Sequence, residues 1–303
     1  MLLAHTQSES LVPSRVVILG ASGVIGKAVT RLLSDRGVPQ LCLSSTDINL
    51  VTPSASQRLC QLLRSTDSMV VLASLPLRHG RGLNMMVANV EIGLTIASAI
   101  AKTPIAHVVY VSSDAVYPRR IEDIDESTSI ESSDPYAAMH ILRERMFANL
   151  NSIPVARVRT TQVSSPDDTH NAYGPNRFRR TMIEERRIAL FGEGEERRDH
   201  IMVQDVAAII YRCLLHRSHG ILNAVTGRSL TFAEVAKIVS SYSNFAPTIE
   251  FRPREVSLTH RRFDASLLKK MFPDFQFIPF ERGEEEIQQR LSQHTICPET
   301  EKI

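Results

Sequence analysis

Gly20, Gly23 and Gly26 stand three residues apart directly after an apolar run, in the stretch Val16-Val17-Ile18-Leu19-Gly20-Ala21-Ser22-Gly23-Val24-Ile25-Gly26. The chemistry such a turn can do is anion binding. Residues without a Cβ let the backbone come close to a ligand, and the unpaired N–H groups and dipole of a helix N-terminus favour negative charge, so a diphosphate suits it. The spacing is GxxGxxG, not the GxGxxG of the standard dinucleotide fingerprint. Taken alone, the stretch also reads as a strand-to-helix turn that needs glycine only for its own geometry. Other chemistries lack their residues. The ten histidines show no HExxH or comparable ligand spacing, and Cys42, Cys60, Cys213 and Cys297 lie far apart without CxxC, so neither a metal site nor a disulfide framework is expected.

The elements around the turn follow from apolar spacing. Residues 16–19 read as a buried strand, and Ile25, Val29, Leu32 and Leu33 form one side of a helix that Gly37 stops. A second strand, Gln40 to Leu43, ends in Ser44-Ser45-Thr46, where a carboxylate would hold the ribose hydroxyls of NAD. Hydroxyls there do not repel a 2′-phosphate, so NADP is at least as plausible as NAD, although no arginine adjoins the serines in sequence. A helix over 53–63, a strand at 69–73, a long apolar helix over 83–101, a strand over 105–111, a helix over 135–150 and a strand at 155–158 continue the alternation. This pattern predicts an α/β fold, a doubly wound parallel sheet of Rossmann type, with ligands at the carboxyl ends of its strands.

Beyond residue 164 the pattern breaks into shorter pieces. Helix 205–215, a capping box of Thr231 and Glu234 opening a helix to Tyr242, a strand at 249–251, a helix 265–271 capped by Asp264 and a last helix 284–291 make a smaller mixed domain. The expected organisation is a flexible tail over 1–14, an NAD(P)-binding domain over 15–163 with the 203–216 helix packing back on it, and a mainly substrate-binding domain over 164–303. With 43% hydrophobic and 22% charged residues and a net charge of +2, the chain lacks the basic footprint of a nucleic-acid binder. No apolar run is read as reaching membrane-spanning length, and the start lacks a signal-peptide core. A reduced, cytoplasmic setting is expected, with no nucleic acid and no membrane as partner.

Three further segments complete a pattern. Val109-Tyr110-Val111-Ser112-Ser113-Asp114-Ala115-Val116-Tyr117-Pro118 ends a predicted strand, Asp134-Pro135-Tyr136-Ala137-Ala138-Met139-His140 opens a predicted helix, and Arg198-Asp199-His200-Ile201-Met202-Val203-Gln204-Asp205 follows later. With the glycine turn, in this order, the chain resembles the extended short-chain dehydrogenase/reductases, the NAD-dependent epimerase/dehydratase family of nucleotide-sugar type. The resemblance implies NAD or NADP held by Gly20, Ser22, Gly23, Val24, Ile25, Gly26, Ser44, Asp47, Ile48, Ala73, Tyr136 and His140, with Asp47 and Ile48 flanking the adenine. It implies a catalytic set of Ser113, Tyr136 and His140. A nucleotide-sugar substrate would meet Ser113, Asp114, Arg177, Arg198 and Arg254, with Arg198 on its diphosphate. A homodimer is implied as well. Asn89 either matches a family asparagine or makes a bond to local backbone.

In this scheme Ser113 hydrogen-bonds the substrate oxygen and Tyr136 passes a proton to or from it, because hydride moves easily only if charge building on that oxygen is neutralised. The family helps its tyrosine with a lysine four residues on; here that position is His140, whose unperturbed pKa of about 6.5 leaves it mostly neutral at pH 7. Two functions follow. One is an NAD(P)-dependent oxidoreductase or epimerase (isomerase) acting on a nucleotide-activated sugar by hydride transfer, with Tyr136 as general acid/base. The alternative is a cofactor-binding regulatory module whose catalysis is weak or lost because His140 replaces the lysine.

Overall fold

The computed structural model describes residues 1–75, 82–131, 134–168, 173–254 and 256–296. Its centre is a six-stranded parallel sheet made of β1 (Val16–Leu19), β2 (Gln40–Leu43), β3 (Ser68–Val71), β4 (His107–Ser113), β6 (Val155–Thr160) and β10 (Gly220–Ala224), in the order β10-β6-β4-β3-β1-β2. The chain winds outward from β1 to β2, then returns to the other side of β1 for β3, so a topological switch point lies between β1 and β3. Alternate residues of β1 face opposite layers, and both layers are apolar. Val17 and Leu19 join a core with α2 (Ala55–Leu62), α3 (Leu83–Lys102) and α4 (Pro135–Ala148). Val16 and Ile18 join one with α1 (Val24–Asp35) and α6 (Val203–Leu215), which pack against each other.

The remaining chain forms a three-stranded sheet of β7 (Gln162–Ser164), β9 (Arg197–Met202) and β11 (Ser229–Thr231), and two strand pairs. One pair is β8 (Arg187–Phe191) with β12 (Thr248–Arg252); the other is β5 (Asp123–Ile124) with β13 (Arg262–Phe263). A separate core of Phe178, Met182, Ile188, Leu190, Phe232, Val235 and Ile287 gathers α5 (Pro175–Glu185), α7 (Phe232–Ser241) and α9 (Phe280–Ile296). The Thr231–Glu234 capping box opens α7 as predicted. In α8 (Ser266–Met271) Asp264 accepts from the Ser266 N–H from one residue ahead of the cap position.

Three expectations change. The first residues are not a loose tail: Leu3 and Ala4 N–H donate to Ile221 and His219 carbonyls at 2.9 and 2.8 Å, extending the sheet edge beside β10. Their partner lies more than two hundred residues away, where no local pattern announces it. Helix α3 does have the length and apolarity, at mean hydropathy 1.5, to pass as a membrane span. It is a helix of this fold all the same, with Met85, Ile92, Ile96, Ala99 and Ile100 buried. The strand expected at 249–251 is found as β12, but β10 and the other short strands of the smaller part were not foreseen, because each has only two to six residues and pairs with a distant segment. Cys297 lies outside the described residues.

Candidate active site

The glycine turn is built by two backbone approaches. Gly20 has φ of +92°, and a Cβ on it would stand 2.8 Å from the Ala73 nitrogen at the end of β3; a Cβ on Gly26 would stand 2.2 Å from the Gly20 carbonyl oxygen. Side chains are excluded at both positions by backbone, which does not give way. Gly23 caps α1 with no side-chain hydrogen bond, so among the described residues the first-turn amides have no side-chain cap. This turn fits a diphosphate, and the crevice it borders is the one the sheet order creates.

At the end of β2, Asp47 accepts from the Ser44 N–H (2.8 Å) and hydroxyl (2.6 Å), and these bonds hold its carboxyl below the usual range. Ile48 is buried among Leu43, Leu50 and Leu59, which leaves Asp47 as the exposed member of the pair. A cleft of about 570 Å³ lies here, lined by Ser22, Ser44 and Asp47 and also by Lys27 and Arg31 of α1. The cations that sequence adjacency did not supply beside the serines are delivered by one face of a helix, at i and i+4.

The second part of the site is the corner where β4 meets α4. Asp134 caps α4 by accepting from the Tyr136 N–H at 2.8 Å, and Pro135 occupies the first turn, so Tyr136 is held at the helix start. Ser113, the last residue of β4, caps the short 3-10 turn Asp114–Val116 through the Ala115 N–H. That turn packs against α4. The structure therefore brings Ser113, Asp114, Tyr136 and His140 to one corner at the carboxyl end of the sheet. Asp114 is pushed up from the ordinary carboxylate range by burial; Arg261, which donates to its carbonyl (2.6 Å) and carboxylate (3.3 Å), and Arg198 hold the shift back.

His140 packs edge-on against the Tyr136 ring, centroids 4.9 Å apart, and its Nδ1 lies 2.9 Å from the Tyr110 hydroxyl. Burial, with the Arg143 charge beside it, drives its pKa to about 3, so the ring is neutral throughout the physiological range. Beneath it, Arg143 is 1% exposed, donates to the Ala73 carbonyl at 2.8 Å and stands 5.1 Å over the Tyr110 ring. Glu144 accepts from Ser112 Oγ (2.7 Å) and from Arg159 through Nε (2.9 Å) and Nη2 (2.7 Å).

The arginines expected on the substrate side divide. Arg198 lies near Asp114 and Arg261, its guanidinium bonded to Glu196 and to the Thr259 carbonyl and hydroxyl. Arg254 bonds Glu195 and the Phe191 carbonyl, and the Arg177 side chain makes no hydrogen bond or ion pair with another described residue; the charges of both reach Tyr173 in the smaller part. Asn89 is buried and bonds backbone, that of Leu75 and Met85, which pins the segment after β3. Arg143, Glu144, Arg159 and Arg261 were missed because charged residues on a helix, a strand or a loop read as solvent-facing. Only their burial distinguishes them.

Comparison with known proteins agrees with this fold. A GDP-L-fucose synthetase from Naegleria fowleri superposes with a TM-score of 0.85 at 16% identity, over 97% of this chain and 98% of that one. The UDP-glucose 4-epimerase of Thermus thermophilus, in complex with NAD, superposes at 0.80 and 18% identity over 92% and 99%. RMD from Pseudomonas aeruginosa, complexed with NADPH, does so at 0.81 and 18% identity over 93% and 99%. These likenesses establish the fold. A model of one family matches residues 16–224, which spans the glycine turn, the β4–α4 corner and the Arg198 segment, and the chain belongs to that family, the NAD dependent epimerase/dehydratases.

Proposed function

We propose that the protein is an NAD(P)-dependent enzyme that acts on a nucleotide-activated sugar by hydride transfer, with Tyr136 as general acid/base. The observation that carries this reading is the convergence of Ser113, Asp114 and Tyr136 at the sheet end that also holds the uncapped glycine turn. When bound, the nicotinamide supplies or accepts the hydride. The chain's own residues do the rest: the amides around Gly23 neutralise the diphosphate, Ser113 donates to the sugar oxygen, and Tyr136 moves the proton to or from it. Arg198 and Arg261, beside Asp114, supply positive charge at the sugar's side of the corner. Two of the structural relatives named above are a GDP-L-fucose synthetase and a UDP-glucose 4-epimerase, which supports a nucleotide sugar as substrate.

Between the two cofactors, we favour NADP. Lys27 and Arg31 share a cleft with Ser44, and the carboxylate there, Asp47, is tied back to Ser44. A 2′-phosphate would meet two cations. Leu83, Val87 and Leu94 on α3, 66, 50 and 55% exposed, together with Leu142 on α4 support a homodimer through these helices.

The test is Tyr136→Phe assayed for hydride exchange with 4-keto nucleotide sugars, alongside titration with NADH and NADPH. Turnover should fall by about 10²–10⁴-fold with dinucleotide affinity retained. NADPH should bind at least about tenfold tighter than NADH until Lys27 and Arg31 are both replaced by Ala, a difference of about 1.4 kcal/mol. Unchanged turnover in Tyr136→Phe removes the tyrosine from the reaction. Tight dinucleotide binding without exchange in either form identifies a cofactor-binding module.

A further inference from the structure

A phenol has an ordinary pKa of about 10, so Tyr136 can move a proton near neutrality only beside positive charge. The histidine one turn along does not carry that charge, because burial keeps His140 neutral. We propose that Arg143 is the positioning residue that supplies it: a guanidinium held beneath the crevice, which favours the ionised form of Tyr136 across the His140 ring. This rests on the reading of Tyr136 as the acid/base.

Tyr136 and Arg143 are seven residues apart on α4, nearly two turns, and so share one face about 10 Å apart along the axis. Long side chains on a helix lean toward its start, which shortens that gap. Arg143 stands 5.1 Å over the Tyr110 ring, the Tyr110 hydroxyl lies 2.9 Å from His140 Nδ1, and the His140 and Tyr136 rings pack edge-on. Arg143 Nη2 donates to the Ala73 carbonyl at 2.8 Å. Ala73 lies two residues beyond Val71, the partner of Tyr110, toward the sheet end where α4 begins. Its nitrogen is also the atom that a Cβ on Gly20 would strike. The charge therefore sits between the glycine turn and the tyrosine, where a dinucleotide spanning the two must pass.

This charge has no fixed counter-ion. Arg143 is 1% exposed, and among the described residues its Nε has no hydrogen-bond partner and no carboxylate pairs with it. Glu144 is engaged by Arg159 through two bonds, Asp134 by the Tyr136 N–H with Arg119 3.9 Å away, and Asp114 by Arg261. On α3, which packs against α4, Asn89 is neutral and Glu91 is exposed. Arg157 lies two residues back from Arg159, toward the amino end of β6. A buried cation without an anion favours any neighbour able to become one. Tyr110 is not that neighbour, since complete burial pushes its phenol up, whereas Tyr136 is only half-buried. The Arg143 stem is also provided for: a Cβ on Gly93 of α3 would stand 2.8 Å from its Cγ.

The chain has six tyrosines and no tryptophan, so phenolate absorbance in the near ultraviolet can be titrated directly, and subtracting the Tyr136→Phe titration isolates Tyr136. Arg143→Gln keeps a donor for the Ala73 carbonyl without the charge, Arg143→Met keeps only the stem, and Arg143→Lys keeps the charge. The Tyr136 midpoint should rise by about 1–2 pH units in Arg143→Gln and in Arg143→Met, a 10- to 100-fold loss of phenolate at a given pH, and stay near the unaltered value in Arg143→Lys. Either neutral variant suffices if the other does not fold. A rise smaller than about half a unit, against the 1–2 expected from the lost charge, overturns the proposal, and so does an equal rise in Arg143→Lys. In the exchange assay, the pH limb that Tyr136 sets should move up by the same amount in Arg143→Gln; a slower rate with an unmoved limb gives Arg143 a merely structural role and overturns the proposal. Should the unaltered protein exchange hydride with no nucleotide sugar, the reading of Tyr136 as acid/base fails, and the absorbance titration still decides whether Arg143 governs its ionisation.

Discussion

The glycine turn and the β4–α4 corner open on the same end of one sheet, but they are made of different material. The turn is backbone: Gly20 and Gly26 matter for atoms they lack, and the groups that would meet a diphosphate are amides. The corner is a stack of buried polar side chains, His140, Tyr110, Ser112, Glu144 and Arg159, drawn from α4, β4 and β6. A backbone site depends on a few adjacent φ/ψ values and tolerates variation around it. A side-chain network in a low-dielectric interior depends on every member, because each unpaired polar group left behind carries its full desolvation penalty.

That contrast can be tested by removing one member of each. The largest effect is expected from Glu144→Ala, which strands Arg159 in the interior: unfolding free energy in denaturant should drop by about 3–5 kcal/mol. A loss below about 1 kcal/mol would mean that water reaches the pair and the corner is not a dry network. Gly26→Ala should act on ligand as well as on the fold. Its methyl collides with the Gly20 carbonyl, and the loss of two amide contacts to a charged phosphate weakens dinucleotide binding by roughly a hundredfold, about 3 kcal/mol, in a fluorescence titration. Unaltered affinity would show that the turn does not meet the diphosphate.

The smallest effect sharpens the point about networks. His200 is buried between Phe232 and Phe280 with both ring nitrogens unpartnered among the described residues, and burial first, then the Arg198 charge, lowers its pKa to about 3. The unfolded chain therefore takes up a proton near pH 6.5 that the native state refuses, and stability falls as pH drops from 6.5 toward 3. His107, lowered to about 4, and His140 act in the same direction. His200→Phe should raise stability by about 1–3 kcal/mol near neutrality, with the gain growing as the pH is lowered through that window. A thermal melt series that shows no growth would locate the acid sensitivity elsewhere.

Much of the fold was legible because parallel strands covered on both faces are continuous apolar runs. Val16–Leu19, Met69–Val71 and Val108–Val111 could hardly be anything else. The smaller part was not: β7, β11 and β13 have two or three residues, and their pairing partners are remote. The site divides the same way. Gly20, Gly23, Ser113 and Tyr136 announce themselves by spacing, whereas Arg143 and Arg261 look like ordinary surface charges until burial is known.

By itself, the sequence determined the doubly wound sheet, the glycine turn after its first strand and the order of motifs that marks the family, since each rests on local spacing and backbone sterics. Only the tertiary structure decided which charges are buried and what they face. It turned residues 1–4 into part of the sheet edge, set Lys27 and Arg31 beside Ser44, and placed His140 against Tyr110 and Arg143. The physical reason is that a side chain's charge and hydrogen-bonding role depend on its neighbours in space, and β4, α4 and β6 become neighbours only when the chain has folded.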